Sequence, residues 1–237
     1  MNVYGIKSIK DTVSGNPYVG RGIVVGKSKS GKAAVAYFIM GRSNNSRNRI
    51  FTERNGEVFT EPFDASKVED PSLIIYAAIR RYNDKLIETN GDQTDTIYDA
   101  LKEGKCFSSA LKTRKFEPDA PNYTPRISAM LDLSEPFSYK MSILKSADEK
   151  GTACNRYTFD YESLDGVGHF IHTYVTDGNP IPTFLGEPER VVIPDSIDEF
   201  TSDLWDSLDK DNKISLYVRY IDLATGKEEN RLINKNK

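Results

Sequence analysis

The stretch "LIIYAAIRRYNDKLIETNGDQTDTIYDALKEG", Leu73 to Gly104, changes its hydrophobic period part-way, and that change decides the fold class. Alternating positions rich in aromatic and β-branched residues predict strands at Leu73–Arg81 and Lys85–Thr89. Tyr82 to Lys85, "YNDK", puts Asn and Asp between them, so the two strands should be hairpin neighbours. Past the turn dipeptide Asn90-Gly91 the apolar spacing becomes helical over Thr94–Glu103, and Gly104 ends the helix. Asp92 or Thr94 can cap it, and Asp95 or Asp99 lies in its first turns, where the helix dipole favours negative charge. Strands giving way to a helix in one short segment predict an α+β protein.

The same patterns extend outward. Upstream, Tyr18–Val25 and Ala33–Met40 alternate like strands, so the middle of the chain reads as a β-meander. Downstream, a second helix is expected at Ser108–Lys115, followed by the proline-punctuated "EPDAPNYTP". After Pro125 the segments "RISAML", "SYKMSILK", "NRYTFDY" and "GHFIHTYV" alternate again, and a second group of strands argues for two sheets. Near the end, Ser196 with Glu199 three positions later forms a capping box opening an amphipathic helix. The last segment, "ISLYVRYIDLATGKEENRLIN", reads as a hairpin turning at Thr225-Gly226. At 237 residues, one α+β domain with two sheets can use the whole chain.

Composition narrows the function classes. A formal charge of −3 provides no general basic field for a nucleic-acid backbone, although local arginine clusters could grip one phosphate. Cys106 and Cys154 stand far apart, which indicates neither a disulfide framework nor a zinc ribbon. The first residues lack the apolar core of a signal peptide and no run has the length of a membrane span, so a cytoplasmic protein without a membrane partner is expected.

Two motifs mislead. "GKSKSGKA", Gly26 to Ala33, nearly fits a phosphate-binding loop, but Ala33 replaces the magnesium-ligating hydroxyl and a strand follows where a helix is needed. It reads as a lysine- and glycine-rich hairpin turn. His169 and His172 have H-x-x-H spacing, yet on a strand they point to opposite faces, so no shared metal is expected.

Three constellations could carry chemistry. "GRSNNSRNRIF" gathers Arg42, Arg47 and Arg49 with Asn48 and other polar residues after a strand, and guanidinium forks match phosphate oxygens. The alternative is a solvated basic loop. "FEPDAPNYTPRI" offers Glu117 and Asp119 before a proline-stiffened turn, with Arg126 opening the next strand. A glutamate against an apolar wall or a bound anion has its neutral form favoured, which suits proton transfer. Around Asn90, Thr94 and Asp95 the acids repel phosphate, so contacts there should go to sugar hydroxyls or a carboxamide.

Taken together, "LIIYAAIR", "TNGDQTDTI", "FEPDAPNYTPRISA" and "HTYVTDGNPIPTFLGEP" resemble the archaeal-type IMP cyclohydrolase family, in order from about Tyr18 to Glu187. The resemblance implies a four-layer αββα sandwich of two mainly antiparallel sheets, similar to N-terminal-nucleophile hydrolases, without an obvious N-terminal nucleophile. It implies closure of 5-formamidoimidazole-4-carboxamide ribonucleotide (FAICAR) to inosine 5′-monophosphate, requiring no cofactor or metal. By motif, Arg49, Tyr76 and Glu117 look like the catalytic set, and Arg42, Arg47, Asn48, Asn90, Thr94, Asp95 and Arg126 the binding shell, with Arg47 and Arg49 competing for one role. A homo-oligomer is expected, with residues 1–17 an extension and 188–237 outside the recognised pattern. A noncatalytic nucleotide-binding protein retaining the fold is the alternative.

Overall fold

The computed structural model describes residues 4–68 and 75–236. In chain order these form α1 (Ile9–Val13), β1 (Arg21–Lys27), β2 (Lys32–Met40), α2 (Asn44–Arg47), β3 (Ile50–Arg54), β4 (Glu57–Glu61), β5 (Tyr76–Tyr82) and β6 (Lys85–Thr89). Then follow α3 (Gln93–Lys102), α4 (Phe107–Leu111), β7 (Arg126–Asp132), β8 (Ser138–Ser146), β9 (Cys154–Glu162), β10 (Val167–His172) and β11 (Glu189–Val192). The chain closes with α5 (Ile197–Ser207), β12 (Lys213–Asp222) and β13 (Glu228–Asn234).

Two antiparallel sheets result. One is a seven-stranded meander, β3 through β9 in sequence order; the other runs β11-β10-β1-β2-β12-β13. The strand groups before and after the α3–α4 pair do not divide into the two sheets as their separation in sequence suggests. β6 and β7 pair directly, Glu88 opposite Ala129, and the helices between them lie on the outer face. β12 pairs with β2 in the interior of the six-stranded sheet, so the segment past Pro188 builds part of the core.

Alternation sorts each strand into two faces. In β2, Val35, Tyr37 and Ile39 enter a core between the sheets, whereas Ala34, Ala36 and Phe38 face α1 and α5. On the other sheet Ile87, Met130 and Leu144 pack under α3 and α4. The order of layers is therefore helix, sheet, sheet, helix. Among the described residues no helix is long and apolar enough to cross a membrane.

Several boundaries differ from the sequence pattern for local reasons. β1 starts at Arg21, not Tyr18, because Gly20 has φ +77° and a side chain there would collide with Thr173 and Tyr174. The strand expected from Leu73 begins at Tyr76; Leu73 and Ile74 lie outside the described residues. α4 stops at Leu111, and the chain leaves through tight turns from Thr113 to Ala110 and from Arg114 to Leu111. Residues 28–31 turn between β1 and β2, as a hairpin and not as a phosphate loop.

Not every inward position is apolar. Glu88 on β6 is fully buried, and neither carboxyl oxygen meets a partner among the described residues. Burial raises its pKa well above the ordinary value, and Arg219 opposes this without overcoming it. A folded-state pKa raised above the unfolded one gives a contribution present below the usual glutamate range and lost as pH rises towards the folded value. The Glu88→Gln chain should therefore gain stability relative to the native chain between pH 5 and pH 9 in urea denaturation. A stability difference independent of pH would remove Glu88 as a buried neutral carboxyl.

Candidate active site

Strand ends at one edge of the intersheet core bring polar groups together where the fold otherwise buries apolar ones. Tyr37 from β2 and Tyr76 from β5 join the facing sheets through their hydroxyls at 2.8 Å, both rings buried. Next to them stand Arg21, the first residue of β1, and Arg49, immediately before β3; they are 7% and 4% exposed. Nε of Arg21 and both Nε and Nη1 of Arg49 have no hydrogen-bond partner among the described residues. Buried guanidinium donors normally find acceptors, so these N–H groups mark a place built for one.

Glu117 completes the cluster. Its backbone amide donates to the Thr124 carbonyl at 2.9 Å, and its side chain is buried with no hydrogen bond among the described residues. Burial pushes the carboxyl pKa up; Arg21, Arg126 and Arg49 pull it down without cancelling the rise, and Asp119 adds to it. Burial lowers Arg49, and the like charge of Arg21 lowers it further, against Tyr76 and Glu117. Arg21 is also lowered by burial, but Glu117 and the phenols of Tyr18, Tyr174 and Tyr76 outweigh this, so the net shift is upward. Guanidinium groups keep their protons in proteins, so both arginines carry full charge. Burial and the Tyr76 phenol raise Tyr37 well above the ordinary phenol value, which makes it a neutral donor.

The loop carrying Glu117 is fixed by its own polar groups. The Asp119 carboxylate accepts from the Thr124 amide at 2.6 Å and from its hydroxyl, and that hydroxyl meets Tyr174 Oη at 2.5 Å. Arg126, at the start of β7, donates to Gln93 Oε1 at 2.6 Å and pairs with Asp92 at 2.7 Å. Asp92 holds the N-cap position of α3 with helical backbone angles and makes no capping bond, and its Oδ1 pairs with both Arg114 and Arg126.

The sequence-derived candidates separate into groups. Arg49, Tyr76 and Glu117 lie in one buried cluster, with Arg126 bordering it. Arg47 is held elsewhere, donating to Gly41 O at 3.0 Å and to Asn212 Oδ1 at 2.9 Å. Arg42 is at the exposed rim, paired with Asp177 and lying 5.2 Å from the centre of the Tyr18 ring. Asn48 is tied to the backbone of Asp64 in both directions, at 2.8 and 2.7 Å. Asn90 is likewise committed: Nδ2 donates to Pro125 O, and Oδ1 accepts from Ile127 N and Gln93 Nε2. Thr94 bonds Thr89 and Gly91, and Asp95 pairs with Arg80 at 2.8 Å, on the outer face beneath α3 and away from the cluster.

Arg21 and Tyr37 were not among the sequence candidates. Each sits in a strand whose alternation marks it as inward-facing, and an inward arginine between Gly20 and Ile23 was a readable signal. A cleft of about 480 Å³, lined by Lys27, Leu133, Glu135, Phe137, Leu223 and Ala224, opens at the other end of the same strands. From Arg21 to Lys27 along β1 is roughly 20 Å, and that cleft holds none of the unpartnered buried donors.

A family model described as IMP cyclohydrolase-like protein matches residues 18–227. The chain belongs to the IMP cyclohydrolase-like family. A relative named IMP cyclohydrolase from Methanocaldococcus jannaschii is 34% identical over 174 residues, 72% of this chain and 81% of its own length. Relatives of the same name from Methanococcus aeolicus and Methanopyrus kandleri are each 34% identical over 119 residues. Those matches cover 48% of this chain, so the chain spans only 58% and 59% of the two relatives' lengths. The family match takes in every residue of the cluster, from Arg21 to Arg126, and β12 as well.

Asn90 makes three buried side-chain hydrogen bonds, two that tie the β6–α3 turn to Pro125 and Ile127 at the start of β7 and one to Gln93 in α3. Asn90→Ala should therefore cost about 2–4 kcal/mol, as three buried groups lose a partner. Chemical denaturation checks this, and a loss within about 0.5 kcal/mol, typical of a surface substitution, would contradict it.

Proposed function

We propose that the chain is an IMP cyclohydrolase, a single-domain cytoplasmic enzyme closing FAICAR to inosine 5′-monophosphate with loss of water. The observation that carries this reading is a pair of buried guanidinium groups with unpartnered donors beside a buried carboxyl of raised pKa. The names of the relatives support the same reaction.

The carboxamide nitrogen attacks the formyl carbon of its own molecule, and one N–H proton moves to the former formyl oxygen. The resulting hydroxyl then leaves as water, taking the proton of the formamido nitrogen as the C=N bond forms. Nucleophile and electrophile share one molecule, so holding the facing conformer supplies much of the rate. The free Nε and Nη1 of Arg49 are donors for the developing oxyanion, and the Tyr76 hydroxyl, backed by Tyr37, donates to the same oxygen. Glu117, neutral at the start, gives its proton to the departing hydroxyl and takes one from nitrogen, and so ends as it began.

Arg21 neutralises charge from the opposite sheet. Arg42 and Arg126 are suited to phosphate, Arg42 at the rim and Arg126 by exchanging Asp92 for the anion. Arg47, Asn48, Asn90 and Thr94 then act on binding through the backbone they hold, and Asp95 stays outside the pocket.

An absorbance assay for inosine monophosphate formation from FAICAR tests the reading. Glu117→Gln should lower kcat by at least about a hundredfold with little change in nucleotide affinity, the usual size of an acid–base contribution. Well-folded native protein that binds the nucleotide without turnover would replace the enzyme with a binding protein. The neutral carboxyl is the active form, so kcat/KM should fall as pH rises through a value above the ordinary glutamate range. That limb should be missing from the residual activity of Glu117→Gln, and an unchanged limb would assign it to another group. Arg49→Ala should reduce kcat/KM by about a hundredfold or more, and Arg47→Ala by less than about tenfold because its guanidinium is committed to Gly41 and Asn212. Equal losses would return Arg47 to the site.

A further inference from the structure

A sheet edge presents unpaired N–H and C=O groups, and proteins usually shorten, cover or charge such edges. Three of the four edges here are shortened or covered; the fourth, β9, carries only charges, Arg156, Asp160 and Glu162. β11 has four residues and is flanked by Lys7, which exchanges backbone bonds with Arg190 and Val192. β3 and β13 lie beside each other, and the Asn234 side chain of β13 bonds both N–H and C=O of Phe51 in β3. β9 is different. It runs nine residues, pairs with β8 in an unbroken register from Cys154 to Glu162, and contains neither proline nor lysine.

The hydrogen-bonding phase of β9 follows from one bond. Ala147 N donates to Ala153 O at 2.9 Å, one step beyond the Ser146–Cys154 pair. Bonded and non-bonded pairs alternate in an antiparallel ladder, so Asn155, Tyr157, Phe159 and Tyr161 turn their backbone groups towards β8. Cys154, Arg156, Thr158, Asp160 and Glu162 turn theirs outward. This set is symmetric about Thr158. In a second copy laid antiparallel with its own Thr158 opposite, Arg156 meets Asp160 of the other copy twice, and Tyr157 meets Phe159 twice. All outward backbone groups then find partners, and each arginine meets the Asp160 carboxylate, which within its own copy also pairs with Lys140. Within one copy Arg156 reaches only the carbonyls of Cys154 and Arg114 and has no carboxylate partner among the described residues. Arg156, Thr158 and Asp160 are exposed, and so is Tyr157, at 46%.

We propose that two copies of this chain join through β9, antiparallel about a two-fold axis at Thr158, extending the meander sheet across the interface. Opposite charges and aromatic pairs directly across strands are the contacts that set register, and an isologous contact of this kind closes on itself. The inference does not rest on the proposed reaction.

Light scattering after gel filtration at micromolar concentration tests it. The native chain should have a mass that is an even multiple of 26.7 kDa. Arg156→Asp and Asp160→Arg should each halve it, and the double exchange should restore it. An independent arm does not depend on the charges: Thr158→Cys, with Cys106 and Cys154 both replaced by Ser, should form an intermolecular disulfide under mild oxidation. Opposed residues in a bonded pair have Cα atoms about 5.5 Å apart, within disulfide range. A native mass of one chain, or an assembly whose mass both single variants leave unchanged, would overturn the proposal. Absence of the Thr158→Cys cross-link in folded protein would do so as well, even if a charge variant failed to fold.

Discussion

Two positive charges are held between two sheets, and much of the molecule is arranged around that constraint. Arg21 and Arg49 enter from different sheets, each almost fully buried, and Glu117 and the phenols of Tyr18, Tyr37, Tyr76 and Tyr174 are the polar groups that face them. An ion in a protein interior costs several kcal/mol unless neighbours replace its water. The replacement here is incomplete, because three guanidinium donors have no partner among the described residues. Buried donors of this kind suit an anionic or strongly polar ligand.

The rest of the architecture keeps those groups from collapsing onto each other. The hydrogen bond between Tyr37 and Tyr76 fixes the sheets at one end of the sandwich. Asn90 fixes the β6–α3 turn to β7, and that turn carries the Asp92 that holds Arg126. Asp119 and Thr124 fix the loop that presents Glu117. Glu88 shows what the same core does to a carboxyl without this company. It lies in the same intersheet layer, but Arg219, the one charge acting on it, has its guanidinium committed to Tyr217 and Gly56. One glutamate therefore stands in the core with a single opposing charge, and the other stands among three arginines.

The sequence made strands with clean alternation easy to read. β2, β6, β7 and β8 fall where their patterns place them, and Ser196 accepts from the Glu199 amide at the start of α5. The β3–β4 hairpin was missed although Asn55-Gly56 is strong hairpin chemistry, with both residues at positive φ. β3 is an edge strand and both strands carry charged residues, so polarity hid the pattern. Pairing between distant segments was not legible either: nothing local says that β6 meets β7 across two helices, or that β12 lies next to β2. For the site, short motifs carried Arg49, Tyr76 and Glu117, whereas Arg21 and Tyr37 carry no motif and join the cluster only through strand register. Asn90 and Thr94 looked ligand-facing because polar turn residues can serve a fold or a ligand equally well, and only the hydrogen-bond partners separate the two uses.

The central claim is that the nucleotide occupies the charged cluster between the sheets and not the wider cleft at the opposite end. Intermolecular nuclear Overhauser effects from the purine C2 proton of inosine monophosphate to isotope-labelled protein test it most directly. The account predicts contacts to the ring protons of Tyr76 and Tyr37. Contacts to Leu133, Phe137 and Leu223 in their place would contradict it.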